Sequence, residues 1–332
     1  MSSPPPTPGI HHVTCIASDP QQNLDFWAKT LGLRLVKQSI NQDDPTTYHF
    51  FFADSEGTPG TSMTFFPWED LQEGQVGTGQ VSRTAFRVPE GSLDFWEDRF
   101  EAFGVDYEDR RKRFGETVLP FYDPDGLPVE LVAVDIPTDD PTVPWTEFVP
   151  EDAAIRGFHS VTLWLADPQR TEDVLRTMGL DETVSEELSA DSRGEVRARF
   201  AATGTVGQYV DVVSTTTTAR QGHGTVHHVA FQTPSDTDQS AMRNAVEEVG
   251  VRPTNQIDRH WFRSVYFREP NGVLFELATS GPGYASDEPL EALGGELILP
   301  GEFENQRGQI EAGLADVTVP SDSEGDADAD AD

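Results

Sequence analysis

A unit of roughly seventy residues recurs four times along this chain, and that repeat limits the fold more than any other feature. Gly32, Gly104, Gly179 and Gly250 are spaced by 72, 75 and 71 residues, and each follows an amphipathic run. Leu24, Trp27, Ala28 and Leu31 precede the first; Leu93, Trp96, Phe100 and Phe103 the second; Val174, Leu175 and Met178 the third; Met242, Ala245, Val246 and Val249 the fourth. That spacing predicts a helix with one apolar face, closed by a glycine in the left-handed conformation. A short apolar strand leads each unit: Ile10–Thr14, Ser82–Phe86, Phe158–Thr162 and Val226–Ala230. Turns of one shape, Asp123-Pro124-Asp125-Gly126 and Glu269-Pro270-Asn271-Gly272, introduce two of the closing strands. The unit therefore reads βαβββ. The expected fold is α+β, with modules at 9–68, 80–134, 157–215 and 224–280, a Pro- and acid-rich linker at 135–156, and an extension from 281 to 332.

Composition narrows the function. The formal charge is −35, and lysine occurs only at 29, 37 and 112, so nearly all the cations are arginines. Such a field repels phosphate backbones and argues against a nucleic-acid partner. It suits a cytoplasmic protein of a halophile, where molar salt screens charges over ~3 Å. No apolar run reaches the length of a membrane span, and no signal peptide is visible. Cys15 is the only cysteine, so neither an internal disulfide nor a cysteine zinc cage is available. The run from Ser321 to Asp332 reads as a disordered acidic tail.

Three residues form a candidate metal site. His228 stands on the fourth leading strand, and Glu276 lies inside the apolar closing strand Leu274-Phe275-Glu276-Leu277. His12 occupies in the first unit the place of His228 in the fourth, each preceding a valine. A carboxylate in an apolar strand needs a cation. Arg259, Arg263 or Arg268 is one candidate, and a metal held by two imidazoles and the carboxylate is the other. Units two and three carry Arg83 and Ser160 where the histidines stand, and Arg83 is placed to neutralise Glu130, the counterpart of Glu276. The first closing strand, Thr61–Phe66, has no acid, so a fourth protein ligand is not expected. Units one and four should enclose the metal, and units two and three a second, empty cavity.

The strings Gly9-Ile10-His11-His12-Val13-Thr14, Val36-Lys37-Gln38, Asn41-Gln42-Asp43-Asp44-Pro45, Tyr48-His49-Phe50 and Gly57-Thr58-Pro59-Gly60-Thr61, set in βαβββ modules, resemble the vicinal oxygen chelate superfamily of glyoxalases and extradiol dioxygenases. Within it they resemble the branch that cleaves hydroquinone rings. The resemblance spans about residues 9–280. It implies Fe(II), with Mn(II) possible, on His12, His228 and Glu276, and a small aromatic substrate with O₂. It also implies substrate-contacting or proton-moving roles for His11, His227, Arg259 and Tyr266. On regular strands His11 and His227 would face away from the ligands. Phe50, Phe65, Trp68 and Phe262 are expected to line the pocket, and His49 stands between core and site wall. A homo-oligomer is compatible with the family. The alternatives are a glyoxalase-like lyase or isomerase, and a non-catalytic aromatic-binding protein of the bleomycin-resistance type.

Overall fold

A computed structural model describes residues 4–187 and 196–321. The acidic tail beyond 321 lies outside the described residues. Four modules, each of four strands and a helix, follow one another. The first has β1 (Ile10–Ala17), α1 (Pro20–Leu24), β2 (Arg34–Asn41), β3 (Asp44–Ala53) and β4 (Ser62–Pro67). The second has β5 (Gln80–Pro89), α2 (Leu93–Phe103), β6 (Arg111–Arg113), β7 (Glu116–Tyr122) and β8 (Pro128–Val134). The third has β9 (Phe158–Leu165), α3 (Pro168–Thr177), β10 (Asp181–Glu187), β11 (Val196–Ala201) and β12 (Tyr209–Ser214). The fourth has β13 (Thr225–Thr233), α4 (Asp236–Glu248), β14 (Ile257–Asp258), β15 (Arg263–Arg268) and β16 (Leu274–Thr279).

The strands make two sheets of eight. One has the order β14-β15-β16-β13-β1-β4-β3-β2, joining modules four and one; the other has β10-β11-β12-β9-β5-β8-β7-β6, joining three and two. Each module pairs its first and last strands in parallel, and the modules meet through antiparallel first strands, β1 with β13 and β5 with β9. The two halves of each sheet are thus related by a pseudo-twofold. The glycines expected to close the helices all take positive φ. The first helix differs from expectation: after α1 it widens into a π-helical stretch over Asp25–Thr30, keeping Trp27 on the buried face.

A continuous core lies between the sheets. Trp27 sits 4.8 Å from the Phe65 ring of the first sheet and 6.1 Å from Phe86 of the second. Residues 135–156 contain no helix or strand, yet they pack as part of this core instead of hanging free. Val149, Ala153, Ala154 and Ile155 are buried, and the Trp96 indole donates to the Ala153 carbonyl at 3.0 Å. A Cβ on Gly32 would meet the Val149 side chain at 2.5 Å, so the turn and the segment are matched.

The concave face of the second sheet is not empty, contrary to expectation; ion pairs fill it. Glu130 is fully buried and is held by Arg113 and, at 2.7 Å, by Arg111, with the expected Arg83 more distant at 3.7 Å. Arg199 forks onto Asp211 at 2.7 Å and 3.0 Å and reaches Glu116, which accepts from His159. Burial pushes the Glu130 carboxyl up, but Arg113, Arg83 and Arg111 together outweigh it and hold it at about 2. Its folded value lies below the ordinary 4.5, so its stabilisation is present above 4.5 and lost as pH falls towards 2. Glu130→Gln should lower the unfolding free energy at neutral pH by about 3 kcal/mol, since it removes the carboxylate that pairs the buried Arg113 guanidinium. Chemical unfolding of both proteins across that window should show the difference shrinking as pH falls.

Candidate metal centre and substrate cavity

Backbone irregularity builds the site. Ile10 pairs with Phe231 and His12 with Ala230, so His11 is an extra residue bulged out of β1. Thr14 pairs with His228 and Cys15 with Val226, so His227 is the matching bulge in β13. The second sheet has the same bulges at Ser82 and His159. A bulge breaks the alternation of side chains and re-aims them. His11 and His227 therefore do not face away from the ligand positions, as regular strands would require; each lies beside its neighbour. His11 Nδ1 is 2.9 Å from His12 Nδ1, and His227 Nδ1 is 2.8 Å from His228 Nδ1.

This arrangement fixes a tautomer. The His11 ring also bonds to the Thr279 carbonyl, which only accepts. His11 donates there and accepts a hydrogen bond from His12 Nδ1 at 2.9 Å, so His12 Nε2 is the ring nitrogen turned towards Glu276. Desolvation by burial, then the neighbouring His12, push His11 down to about 3; burial, then His228 and Arg268, push His227 to about 3. Both stay neutral at physiological pH.

The remaining donors converge. His12 Nε2 is 3.3 Å from His228 Nε2, and Glu276 Oε2 lies 3.3 Å and 2.9 Å from these two nitrogens. Metal bonds of about 2.1 Å at right angles would put adjacent donors ~3 Å apart, so the triangle matches one face of an octahedral ion. Glu276 is fully buried, and its Oε2 has no hydrogen-bond donor among the described residues. Its Oε1 accepts from the Ser264 hydroxyl at 2.5 Å, which turns Oε2 towards the imidazoles. Burial alone would raise this carboxyl; the two histidines outweigh burial and hold it well below the usual carboxylate range. Two imidazole nitrogens and a carboxylate oxygen at these separations fit a divalent ion. The arginine alternative is excluded by position: Arg259 pairs with Asp43, Arg263 with Asp236, and Arg268 with the Gly272 carbonyl.

A cavity of about 360 Å³ is lined by His12 and His228 of this triangle and by His227. Tyr266 pairs directly with Glu276 across β15 and β16, and the Arg259 guanidinium lies 5.4 Å from its ring. Burial, then the Glu276 charge, push the Tyr266 phenol up, so it keeps its proton. Arg259 Nε is buried without a hydrogen-bond partner among the described residues. The wall aromatics are Phe51, Phe66, Trp68, Trp261 and Phe262. Phe50 and Phe65, expected there, point into the core and are fully buried; their neighbours Phe51 and Phe66 take the cavity face. His49 belongs to the wall, and its Nε2 lies 3.1 Å from Thr64 Oγ1. Thr64 bonds Thr14 at 2.8 Å, and Thr14 Oγ1 is 3.0 Å from His228 Nε2. Thr14, Thr64 and Ser264 escaped the sequence reading, although Thr14 lies two residues beyond His12 on the same strand.

A family model described as the glyoxalase/bleomycin resistance protein/dioxygenase superfamily matches residues 9–131 and 136–277. The chain belongs to that superfamily. It is 43% identical over 312 residues, covering 93% of this chain and 96% of the relative, to MhqO of Bacillus subtilis (strain 168), which is named as a ring-cleaving dioxygenase. It is 32% identical over 320 residues to the chlorohydroquinone/hydroquinone 1,2-dioxygenase of Sphingobium indicum, covering 93% of this chain and 97% of that one. A crystal structure of a Bacillus subtilis protein titled as a dioxygenase superposes with a TM-score of 0.88 at 41% identity, over 95% of this chain and 99% of the other. Glyoxalase I from Zea mays, at 13% identity and a TM-score of 0.60, covers 82% of this chain and 92% of its own, and shares the fold. No helix among the described residues is long and apolar enough to cross a membrane.

Because Oε2 and the Nε2 atoms of His12 and His228 converge to within 3.3 Å of one another, a divalent ion should stabilise the folded chain, by about 2.7 kcal/mol at a hundredfold excess over its dissociation constant. Thermal unfolding with Fe(II) or Mn(II) should show this gain, chelator should remove it, and His12→Ala should abolish it.

Proposed function

We propose that the protein is an Fe(II)-dependent dioxygenase that opens a hydroquinone-type aromatic ring with O₂, with Mn(II) compatible with the same donors. The observation that carries this reading is the number of donors. Thr64 stands on β4 where the pseudo-twofold places Glu276 on β16: Thr14 pairs with Thr64 as Ala230 pairs with Glu276. A fourth carboxylate ligand, as an isomerase-type site would use, is replaced by a hydroxyl. His12, His228 and Glu276 leave open positions for a ring oxygen and O₂ together.

When bound, the metal supplies Lewis acidity towards the phenol and an electron route between ring and O₂. The chain supplies the rest. Phe51, Phe66, Trp261 and Phe262 take the flat ring and exclude water. Arg259, with its unpartnered Nε, and the protonated Tyr266 offer hydrogen bonds to an oxygen that gains charge during the reaction. His11 is held between His12 and Thr279 and orients its ligand neighbour. His227 borders the cavity, so it is the histidine placed to move a proton to or from the substrate.

Protein reconstituted anaerobically with Fe(II) in molar KCl should consume O₂ with methylhydroquinone, and His12→Ala should not. Arg259→Ala should retain iron but lose about 10²-fold in kcat. Uptake with catechol alone would move the substrate class, and no uptake by folded, iron-loaded protein would sink the reading. The charge of −35 further supports work in a halophile cytoplasm. The unfolding midpoint should then rise between ~0.1 and ~2 M KCl as repulsion is screened.

A further inference from the structure

Lys37 is the one lysine of the chain that is buried, at 0% exposure, and neither the metal centre nor the ring-binding wall accounts for it. It stands on β2 and pairs with two acids of the C-terminal extension, Asp287 at 2.5 Å and Glu288. Asp287 does more than neutralise it. Its Oδ2 accepts from the Trp261 indole at 2.9 Å and from His260 Nε2 at 2.9 Å. The Lys37 ammonium also lies 5.4 Å from the Trp261 ring. Three segments distant in sequence thus meet on one carboxylate.

The loop hung on that carboxylate carries the cavity wall. Arg259, Trp261 and Phe262 all border the cavity, and the Phe262 ring lies 4.9 Å from that of His12. Between them His260 holds φ at +72°, a conformation costly for a residue with a side chain. The backbone closes on itself there, Arg259 N donating to the Phe262 carbonyl at 2.9 Å, and Gly283 of the extension donates to the Trp261 carbonyl at 2.8 Å. A turn of this kind persists only if its surroundings over-determine it. Asp287 supplies two of those restraints, and the buried cation behind it keeps the carboxylate charged and in place.

We propose that Lys37 and Asp287 are positioning residues that fix the 259–262 loop, and through it the ring-binding wall and Arg259. This rests on the reading of the cavity as the site for a phenolic ring. Neither Lys37 nor Asp287 borders the cavity, so their effect on ring binding is indirect, and the 259–262 loop is what Asp287 touches. Glu288 provides the contrast. It pairs with the same lysine, but no hydrogen bond joins it to Trp261 or His260 among the described contacts. If the lysine merely fastened the extension, Asp287→Ala and Glu288→Gln would behave alike.

The test is anaerobic titration of the iron-loaded protein with methylhydroquinone, followed by calorimetry, with the unfolding midpoint of each variant measured alongside. Asp287→Ala should bind the ring about tenfold more weakly while holding its iron, and Glu288→Gln should bind within about twofold of the wild type. Lys37→Met should weaken binding like Asp287→Ala and also lower the midpoint; should it fail to fold, the comparison of the two acid variants decides. Equal effects of Asp287→Ala and Glu288→Gln, or unchanged binding in Asp287→Ala, would overturn the positioning role alone. A wild type that binds no phenolic ring would overturn it together with the proposed function.

Discussion

The buried Glu276 carboxylate is the constraint on which the first sheet depends. It sits at 0% exposure on the last strand of the fourth module, and a lone charge there costs several kcal/mol unless a cation compensates it. The place for that cation is shared with two imidazoles, whose Nε2 atoms lie 3.3 Å and 2.9 Å from Glu276 Oε2. That needs the first strands of modules one and four side by side, which their antiparallel pairing provides. It needs each ring turned towards Glu276, which the bulges at His11 and His227 support by placing a second imidazole against the far nitrogen of each, at 2.9 Å and 2.8 Å. Pairing and bulge therefore follow from one requirement.

The second sheet shows the same architecture solved in the opposite way. Glu130 occupies the place of Glu276, equally buried, and the bulges recur at Ser82 and His159. There the cation is covalently part of the chain: Arg111 and Arg113 reach in from the outer strand β6, and Arg83 stands where His12 stands in the first sheet. Guanidinium groups there meet the carboxylate that the first sheet presents beside two imidazoles. One half of the molecule is thereby an open site and the other a rigid partner, joined by the core around Trp27.

Much of this was legible in the residues. The glycine spacing and the strand patterns carried the module, because helices and strands write their periods directly into the sequence. The acid within Leu274-Phe275-Glu276-Leu277 and the aligned histidines pointed to one another for the same reason. Bulges left no such mark: an extra residue shifts parity without changing composition, so His11 and His227 were placed on the wrong face. Parity also moved the wall from Phe50 and Phe65 to Phe51 and Phe66, since a slip of one residue exchanges core for cavity. The role of the extension, and of Arg111 and Arg113, was hidden because ion pairs between distant segments have no spacing rule. Lys37 stood among the family strings without any sign of the acids it meets 250 residues later.

The charge of the whole molecule also bears on how a substrate enters. At −35 the protein repels anions at any ionic strength low enough for its field to reach into solution. In molar salt that field decays within ~3 Å, and only groups inside the cavity act on a ligand. The cavity is locally different from the surface. Arg259 lies beside it, its cationic form favoured by Tyr266 and Asp43 against the effect of burial. On the proposed function the apolar wall would favour a neutral hydroquinone over its anion on entry, while Arg259 and the metal site would favour the anion once the ring is bound. In the proposed reaction binding and ionisation would in this way be divided between two parts of one cavity, and the proton released between them would leave past His227, which borders the cavity and which burial keeps neutral.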